Sequence, residues 1–287
     1  MLRVNIFVLY CLKKSSINKI FLPNLRQKIF FTGLPELDIH LIELAEDTER
    51  QLRVEEDKIS SSSARIRLLG TRLRPPRRAW ARDQGPYIIG LTGGSASGKS
   101  SVGRRLAGRG WGVVDCDKLG HLAYSPGQPA HAKVVQEFGQ GVLAEDGTID
   151  RRALGSIVFG DQARLAALNT IVWPEISRLA LAQAAQLWRE AGRQVVVLDA
   201  AVLLEAGWEA ACHEVWVCVV PRHEAVRRIV ARDGKTEQEA ERRLDSQLGA
   251  GARVGAASTV ICTLWEEDIT QAQVTRAVER VNTELGL

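Results

Sequence analysis

The segment YIIGLTGGSASGKSSVGRRLAGRG, residues 87–110, joins a short apolar run to a glycine-rich loop and then to a helical stretch. Its centre matches the pattern G-x-x-x-x-G-K-[ST], in which glycines let the backbone wrap closely around phosphate and aim N–H groups at its oxygens. The helix that begins at the loop turns the positive end of its dipole toward the same anion. A strand before and a helix after the loop distinguish a true phosphate loop from a chance match. We therefore expect ATP to contact the following residues: Gly93, Gly94, Ser95, Ala96, Ser97, Gly98, Lys99, Ser100 and Ser101.

Two side chains of this loop predict the chemistry at the bound phosphates. Lys99 supplies a positive charge for the β- and γ-phosphates, and the Ser100 hydroxyl is of the kind that binds Mg²⁺. The sequence therefore predicts Mg²⁺ as the cofactor and ATP as the co-substrate. A GTPase is disfavoured, because the D-x-x-G match at residues 117–120 lies very close to the loop and no N-K-x-D motif follows it.

The chain after residue 86 alternates short apolar runs with helical stretches, including a mainly helical region from about residue 117 to 190. Continuous apolar runs indicate strands that are covered on both faces, and strands separated by helices indicate a parallel sheet. We therefore predict an α/β fold with a five-stranded parallel sheet and flanking helices. The strand candidates are residues 87–92, 112–115, 195–200, 215–220 and 259–262.

Three acidic residues lie where ligands bind in such sheets, at the carboxyl ends of predicted strands. Asp115 and Asp117 lie at the end of the second strand. We expect both side chains to extend from the strand on the face opposite Cys116. There, one carboxylate could accept the proton of an attacking hydroxyl. A helix N-cap beside a solvated acid is the alternative for this pair. Asp199, at the end of the third strand, suits the acid that holds Mg²⁺ through water, and a turn-forming role explains it equally well.

The composition sets limits on the class of protein. A net charge of +4 suits a phosphate-rich small substrate, and basic residues interleaved with aromatics, which would indicate nucleic-acid binding, are not found. The apolar runs are too short and too interrupted by charge for a transmembrane helix. The cysteines are odd in number and form no C-x-x-C pair, so a reducing, cytoplasmic location fits best.

The first 86 residues differ from the rest of the chain. Residues 1–32 form a divergent segment that contains basic residues and no acid, since the first acid is Glu36. This pattern is compatible with a mitochondrial targeting signal. A segment without a targeting role explains it equally well. Residues 71–86 contain three prolines, many arginines and few apolar residues, and we predict a linker.

Several motifs follow the phosphate loop in a characteristic order: VVDCD, DGTIDRRALGSIVF, LLEAGW and RRIVARDGKTEQEAERRLDSQ. With them, residues 87–287 resemble the dephospho-coenzyme A kinases, most closely the kinase half of the animal bifunctional coenzyme A synthases. Residues 33–70, with ISSSSARIR, resemble the tail of the nucleotidyltransferase domain that precedes the kinase in those proteins. The H-x-G-H-type motif of that domain is missing, so we do not expect adenylyltransferase activity.

The resemblance implies that ATP phosphorylates the ribose 3′-hydroxyl of dephospho-coenzyme A. It implies a helical acceptor-binding subdomain and a lid at about residues 222–250. It assigns the catalytic base to Asp117, with Asp115 beside it, and a phosphate clamp to Arg228. It also places Arg151 and Arg152 at the acceptor.

Two other functions remain open from the residues alone. One is a kinase of the same fold that acts on a different small molecule, and the order of the motifs argues against it. The other is a fragment that binds a nucleotide without catalysis, which the intact Lys99, Ser100 and Asp117 disfavour.

Overall fold

The structure is a computed structural model that describes residues 68–287. The predictions for residues 1–32, and for residues 33–67 of the nucleotidyltransferase-like segment, lie outside the described residues. None of the described helices is long and apolar enough to cross a membrane.

The described chain contains the predicted five strands and the helices between them. The strands are β1 (Tyr87–Gly93), β2 (Gly112–Asp115), β3 (Val195–Asp199), β4 (Glu214–Val219) and β5 (Thr259–Cys262). The helices are α1 (Lys99–Gly108), α2 (Cys116–Ala123), α3 (Pro129–Phe138), α4 (Arg151–Val158), α5 (Gln162–Ala191), α6 (Arg222–Asp233), α7 (Glu237–Asp245), α8 (Ala250–Ala256) and α9 (Glu267–Leu285). Short 3₁₀ turns lie at Gln140–Val142 and Trp208–Ala211.

The strands form one parallel sheet in the order β2-β3-β1-β4-β5. The predicted α/β class and parallel sheet are confirmed, and each predicted strand differs from the observed one by at most a residue at either end. Asp199 lies level with Leu91 of β1 on one side and with Asp115 of β2 on the other. The register therefore brings the carboxyl ends of three strands to one edge, where the phosphate loop leaves β1.

The sheet is covered on both faces, as its continuous apolar strands require. Neighbouring residues of β3 face opposite sides: Val197 belongs to the core under α1 and α9, with Leu106 and Val278, whereas Leu198 belongs to the core under α5, with Ala184. All of these side chains are nearly inaccessible to solvent. The two packed layers hold the strand ends, and the residues that follow them, in fixed positions.

The start of α7 shows the predicted capping box. The Thr236 hydroxyl accepts the Glu239 N–H at 3.3 Å, and the Glu239 carboxylate accepts the Thr236 N–H at 2.8 Å. Two N–H groups that lack partners within the helix are thereby satisfied. The boundary between α6 and α7 is thus fixed by local sequence.

The opposite end of the sheet is held by a buried carboxylate, Glu214, which is inaccessible to solvent. It accepts hydrogen bonds from Arg72 at 2.9 Å, Arg280 at 2.7 Å, Trp216 at 2.8 Å and Tyr87 at 3.0 Å. Burial alone would raise the pKa of the Glu214 carboxyl, but hydrogen bonds and charge from Arg280, with bonds from Trp216 and Arg72, hold that pKa at about 2. The carboxylate therefore joins β4 to α9 and to the segment before β1.

Residues 69–86 have no strand and lie against the sheet. The N–H of Leu73 donates to the Ser258 carbonyl at 2.7 Å, and the N–H of Arg77 donates to the His213 carbonyl at 2.7 Å. The boundaries predicted at residues 71 and 86 remain predictions.

We expect Glu214→Gln to lower the free energy of unfolding by about 3 kcal/mol or more, because it removes the fully buried charge that pairs with the partly buried Arg72 and Arg280. The matched control is Glu284→Gln, which removes a more exposed partner of the same arginines and should cost less than about 1 kcal/mol. Urea unfolding of both variants measures the difference. Equal losses would show that Glu214 has no special role.

The same contact predicts a pH dependence of stability. The pKa of Glu214 is about 2 in the folded chain and 4.5 for the free carboxyl, so its stabilisation is present above about pH 5 and is lost as the pH falls toward 2. The free energy of unfolding of the wild type should therefore fall more steeply over this range than that of Glu214→Gln. Parallel pH profiles would contradict the prediction.

Candidate active site

The phosphate loop is shaped by two glycines that no other residue could replace without a local shift. A Cβ on Gly93 would lie 2.4 Å from the Ser97 hydroxyl oxygen, and one on Gly98 would lie 2.8 Å from the Thr263 side chain. Gly98 also has a φ of +81°, which disfavours any residue with a side chain. The loop therefore turns tightly between β1 and α1, as the motif predicts.

An open cavity of about 730 Å³ lies over this loop and over the start of α1. Its walls carry a high density of positive charge, which raises the local concentration of anions and favours a polyphosphate ligand. The basic residues that line it are Lys99, Arg104, Arg227, Arg228, Arg232 and Arg243.

Lys99 lies between two carboxylates at this cavity. Its ammonium is 2.6 Å from Oδ1 of Asp199 and 3.1 Å from Oδ2 of Asp117. Burial acts to lower the pKa of Lys99, but the charges and hydrogen bonds of Asp199 and Asp117 outweigh it and raise that pKa. Burial raises the pKa of Asp199, and the bound ammonium opposes that shift. At 2.6 Å Lys99 and Asp199 form an ion pair, so Lys99 carries its charge at the cavity.

Asp117 lines the cavity in an accessible position, with 47% of its side chain exposed. One carboxylate oxygen contacts Lys99, and the other accepts the N–H of Ala201 at 3.3 Å. Two partners from different elements thus fix the orientation of this carboxylate. Its exposed side can still receive a hydroxyl group from an acceptor.

The expectation that Asp115 and Asp117 both extend from the second strand is wrong. β2 ends at Asp115, and Asp117 lies in the first turn of α2. The Asp115 carboxylate accepts the N–H of Lys118 at 3.2 Å and caps that helix, and Asp115 does not line the cavity. The helix begins directly after the strand, so the alternation of a strand cannot continue. Asp115 therefore caps a helix, which was the alternative considered from the sequence. A catalytic role for Asp115 stays an untested prediction.

Cys116 separates the two acids and is buried. Burial, with the nearby charges of Asp117 and Asp199, raises the pKa of its thiol to about 12. The thiol is therefore neutral at physiological pH and is not a nucleophile.

The residues predicted to bind Mg²⁺ offer hard oxygen ligands. Ser100 lines the cavity, and the Asp199 carboxylate lies beside Lys99. Among the described residues no group of three or more His, Cys, Asp or Glu side chains could hold a metal by themselves. A cation at this cavity would therefore need phosphate and water oxygens in addition, and this is the usual way in which Mg²⁺ binds with a nucleotide. The donors present fit Mg²⁺.

Arg228 reaches the phosphate loop from α6. Its guanidinium donates to Glu224 at 2.7 Å, to the Thr263 hydroxyl at 2.9 Å, to the Thr263 carbonyl at 2.6 Å and to the Ala96 carbonyl at 3.3 Å. The predicted phosphate clamp thus lines the cavity in a fixed orientation.

Two further residues of the predicted lid contact the loop, and the sequence did not single them out. Gln247 accepts the Ser95 N–H at 3.0 Å and donates to its hydroxyl at 2.8 Å, and Arg243 donates to the same hydroxyl at 3.1 Å. Arg243 lies in the last turn of α7, whereas Gln247 follows the end of that helix, so no helical spacing links the two. Because the loop lies about 150 positions earlier in the chain, no pattern in the sequence around these two residues predicts their contacts with it.

Arg151 and Arg152 begin α4 and are exposed. Neither lines the cavity. Arg151 lies close enough to Tyr124 to oppose the rise in the tyrosine pKa that burial causes. The structure thus does not bring these arginines to the phosphate loop, and their contact with an acceptor stays a prediction.

The family model for dephospho-CoA kinase matches residues 87–264, the region that contains the phosphate loop and the cavity. The chain belongs to the dephospho-CoA kinase family. Among its curated relatives, the dephospho-CoA kinase of Geobacter sulfurreducens is 43% identical over 194 residues, which are 68% of this chain and 96% of the relative. The dephospho-CoA kinase of Symbiobacterium thermophilum is 41% identical over 190 residues, which are 66% of this chain and 79% of the relative.

Solved structures give the same fold. A Thermus thermophilus protein has a TM-score of 0.57 and 33% identity, and the match covers 70% of this chain and 98% of that one. A dephospho-CoA kinase from Campylobacter jejuni has a TM-score of 0.52 and 22% identity, and the match covers 69% of this chain and 98% of that one. The kinase resemblance is confirmed, and the closer likeness to the animal bifunctional synthases stays untested.

We expect Lys99→Ala to lower kcat by about 10²-fold or more, or roughly 3 kcal/mol, because it removes charge stabilisation from the transferring phosphoryl group. The charge-conserving control is Lys99→Arg, which should retain ATP binding better than the alanine variant. Steady-state kinetics with ATP measures both. A loss smaller than tenfold for Lys99→Ala would show that Lys99 is not part of catalysis.

Proposed function

We propose that this chain transfers the γ-phosphoryl group of ATP to the ribose 3′-hydroxyl of dephospho-coenzyme A. The products are ADP and coenzyme A, and the reaction is the last step of coenzyme A synthesis. The observation that carries the proposal is the placement of Lys99 between Asp117 and Asp199, at the arginine-lined cavity of a dephospho-CoA kinase.

The phosphate loop and the basic walls of the cavity bind and orient the polyphosphate. Phosphoryl transfer depends mainly on alignment and on neutralisation of charge. The fixed Lys99 ammonium and the Arg228 guanidinium supply positive charge that needs little reorganisation during the reaction.

Asp117 is the proposed general base. The acceptor hydroxyl loses its proton to the Asp117 carboxylate while its oxygen forms a bond to the γ-phosphorus, and the bond to the leaving ADP breaks. The hydrogen bond from Ala201 and the ion pair with Lys99 hold this carboxylate at the cavity, and its remaining surface is open to the acceptor. Asp115, two residues earlier, caps α2 and keeps its start in place.

We propose Mg²⁺ as the cofactor, with the Ser100 hydroxyl and, through water, Asp199 as its protein partners. When bound with ATP, the ion would neutralise charge on the β- and γ-phosphates. Asp199 would then serve two cations, since it also orients Lys99.

The remaining organisation of the chain is part of the same proposal. Residues 87–287 form the kinase domain, with acceptor binding by Arg151 and Arg152 in the helical region and a lid at residues 222–250. The contacts of Gln247 and Arg243 with Ser95 support a lid that closes on the loop. Residues 33–70 are the end of a nucleotidyltransferase-like domain, and residues 71–86 are the linker.

A cytoplasmic location is proposed from the cysteine usage and from the bacterial relatives reported above. A mitochondrial address in the basic segment before Glu36 finds no support in those relatives. Nucleic acid is not proposed as a partner.

The first test is the formation of coenzyme A from ATP, Mg²⁺ and dephospho-coenzyme A, with ADP release followed in parallel and the product identified by mass. We expect product only in the full mixture and a strong loss with Lys99→Ala. Phosphorylation of a different small molecule would indicate another kinase of this fold. A folded protein that binds ATP without turnover would indicate a binding fragment.

Asp117→Asn should lower kcat by about 10²-fold or more while the ATP dissociation constant changes by less than about threefold, because the amide cannot accept the proton. Asp115→Asn is the matched control, since asparagine caps a helix as well as aspartate does and should leave turnover nearly unchanged. Kinetics and calorimetric ATP titration separate the two effects. Loss of ATP binding in Asp117→Asn would make that residue structural, and an equal loss of turnover in Asp115→Asn would return Asp115 to catalysis.

A further inference from the structure

Thr263 follows β5 directly and lies behind the phosphate loop. It is buried, with 8% of the residue exposed, and it does not line the cavity. Its hydroxyl donates to the Ser97 carbonyl at 2.9 Å and accepts from Nη1 of Arg228 at 2.9 Å. One side chain therefore touches both the loop and the arginine of the proposed lid.

The bond to Ser97 fixes the direction of the next peptide group. In a trans peptide the C=O and the N–H point in opposite directions, and the described residues contain no cis peptide bond. Because the Ser97 carbonyl points back to Thr263, the N–H of Gly98 points away from Thr263. Gly98 lines the cavity, and Thr263 lies on the other side of the loop. The anchored carbonyl therefore aims a backbone donor into the phosphate site.

The contacts of Thr263 with Arg228 help to fix the orientation of the guanidinium group. A guanidinium has five N–H donors. Among the contacts of the described residues, Nε donates to Glu224, Nη1 donates to the hydroxyl of Thr263 and the carbonyl of Ala96, and Nη2 donates to the carbonyl of Thr263. These contacts account for four donors, so one N–H of Nη2 remains for a phosphate oxygen. Its direction is set by the plane in which Thr263 holds the guanidinium.

We propose that Thr263 is a positioning residue of the kinase reaction, whose hydroxyl couples the orientation of the phosphate loop to that of Arg228. The inference rests on the proposed function, because it assumes that phosphate binds at the loop. Loss of this hydroxyl would remove the anchor of the loop and also one of the contacts that align the arginine, since a single oxygen serves both.

The test is Thr263→Val, which keeps the branched shape against Gly98 and removes the hydroxyl. Thr263→Ser keeps the hydroxyl and removes the methyl group. Thr259→Val is the matched control at the other end of β5, where a fully buried threonine hydroxyl accepts from Arg280 at 3.2 Å. The two valine variants each remove one buried hydroxyl that contacts an arginine, and only Thr263 contacts the loop.

The measurements are kcat and KM for ATP, the ATP dissociation constant by calorimetry without acceptor, and the melting temperature. We expect Thr263→Val to lower kcat/KM for ATP by about tenfold or more and to raise the ATP dissociation constant. Thr263→Ser should stay within about threefold of the wild type, and Thr259→Val should lower the melting temperature without changing kcat/KM.

The proposal is overturned if Thr263→Val retains wild-type kcat/KM, if Thr263→Ser loses as much as the valine variant, or if Thr259→Val loses as much activity. A double-mutant cycle with Arg228→Ala tests the coupling: non-additive losses support it, and additive losses would overturn it. Calorimetry with ATP does not depend on the acceptor. A wild type that makes no coenzyme A would therefore refute the proposed function, while the order of ATP affinities would still decide the role of Thr263.

Discussion

The ion pairs of Lys99 with Asp199 and Asp117 join three elements at the carboxyl edge of the sheet: the start of α1, the end of β3 and the first turn of α2. A carboxylate as buried as that of Asp199 would be costly without a cation, and a buried ammonium would be equally costly without an anion. Each group therefore makes the burial of the other possible. The placement of the proposed base and the position of the Lys99 charge at the cavity both depend on this arrangement.

The arginines that line the cavity repel one another, and nearby acids reduce that repulsion. Glu224 binds both Arg227 and Arg228, and Asp233 binds Arg232 and Arg243. Hydrogen bonds from Arg227 and Arg228 outweigh the effect of burial and hold the pKa of Glu224 at about 2. The basic side chains thus have defined positions before any phosphate arrives, and this lowers the cost of ordering them around a polyphosphate.

The parts of the structure that are local in sequence could be predicted, and those that depend on distant contacts could not. The strands and the phosphate loop follow from apolar runs and from glycines whose neighbours leave no room for a Cβ. Asp117 was misplaced because an acid after a strand can extend the strand or begin a helix, and only the immediate start of α2 decides between these. Gln247 closes a motif and Thr263 belongs to none, but the sequence singled out neither, since their importance arises from contacts with loop residues about 150 to 170 positions earlier in the chain.

The carboxylate of Glu214 has a consequence for where this domain can be divided. Its two arginine partners come from outside the region that matches the family, residues 87–264: Arg72 precedes that region and Arg280 follows it. A chain trimmed to the family limits would keep every residue of the phosphate loop and still bury an anion without either of its counter-charges. The described sheet therefore depends on charges that lie beyond both ends of the region that sequence similarity defines.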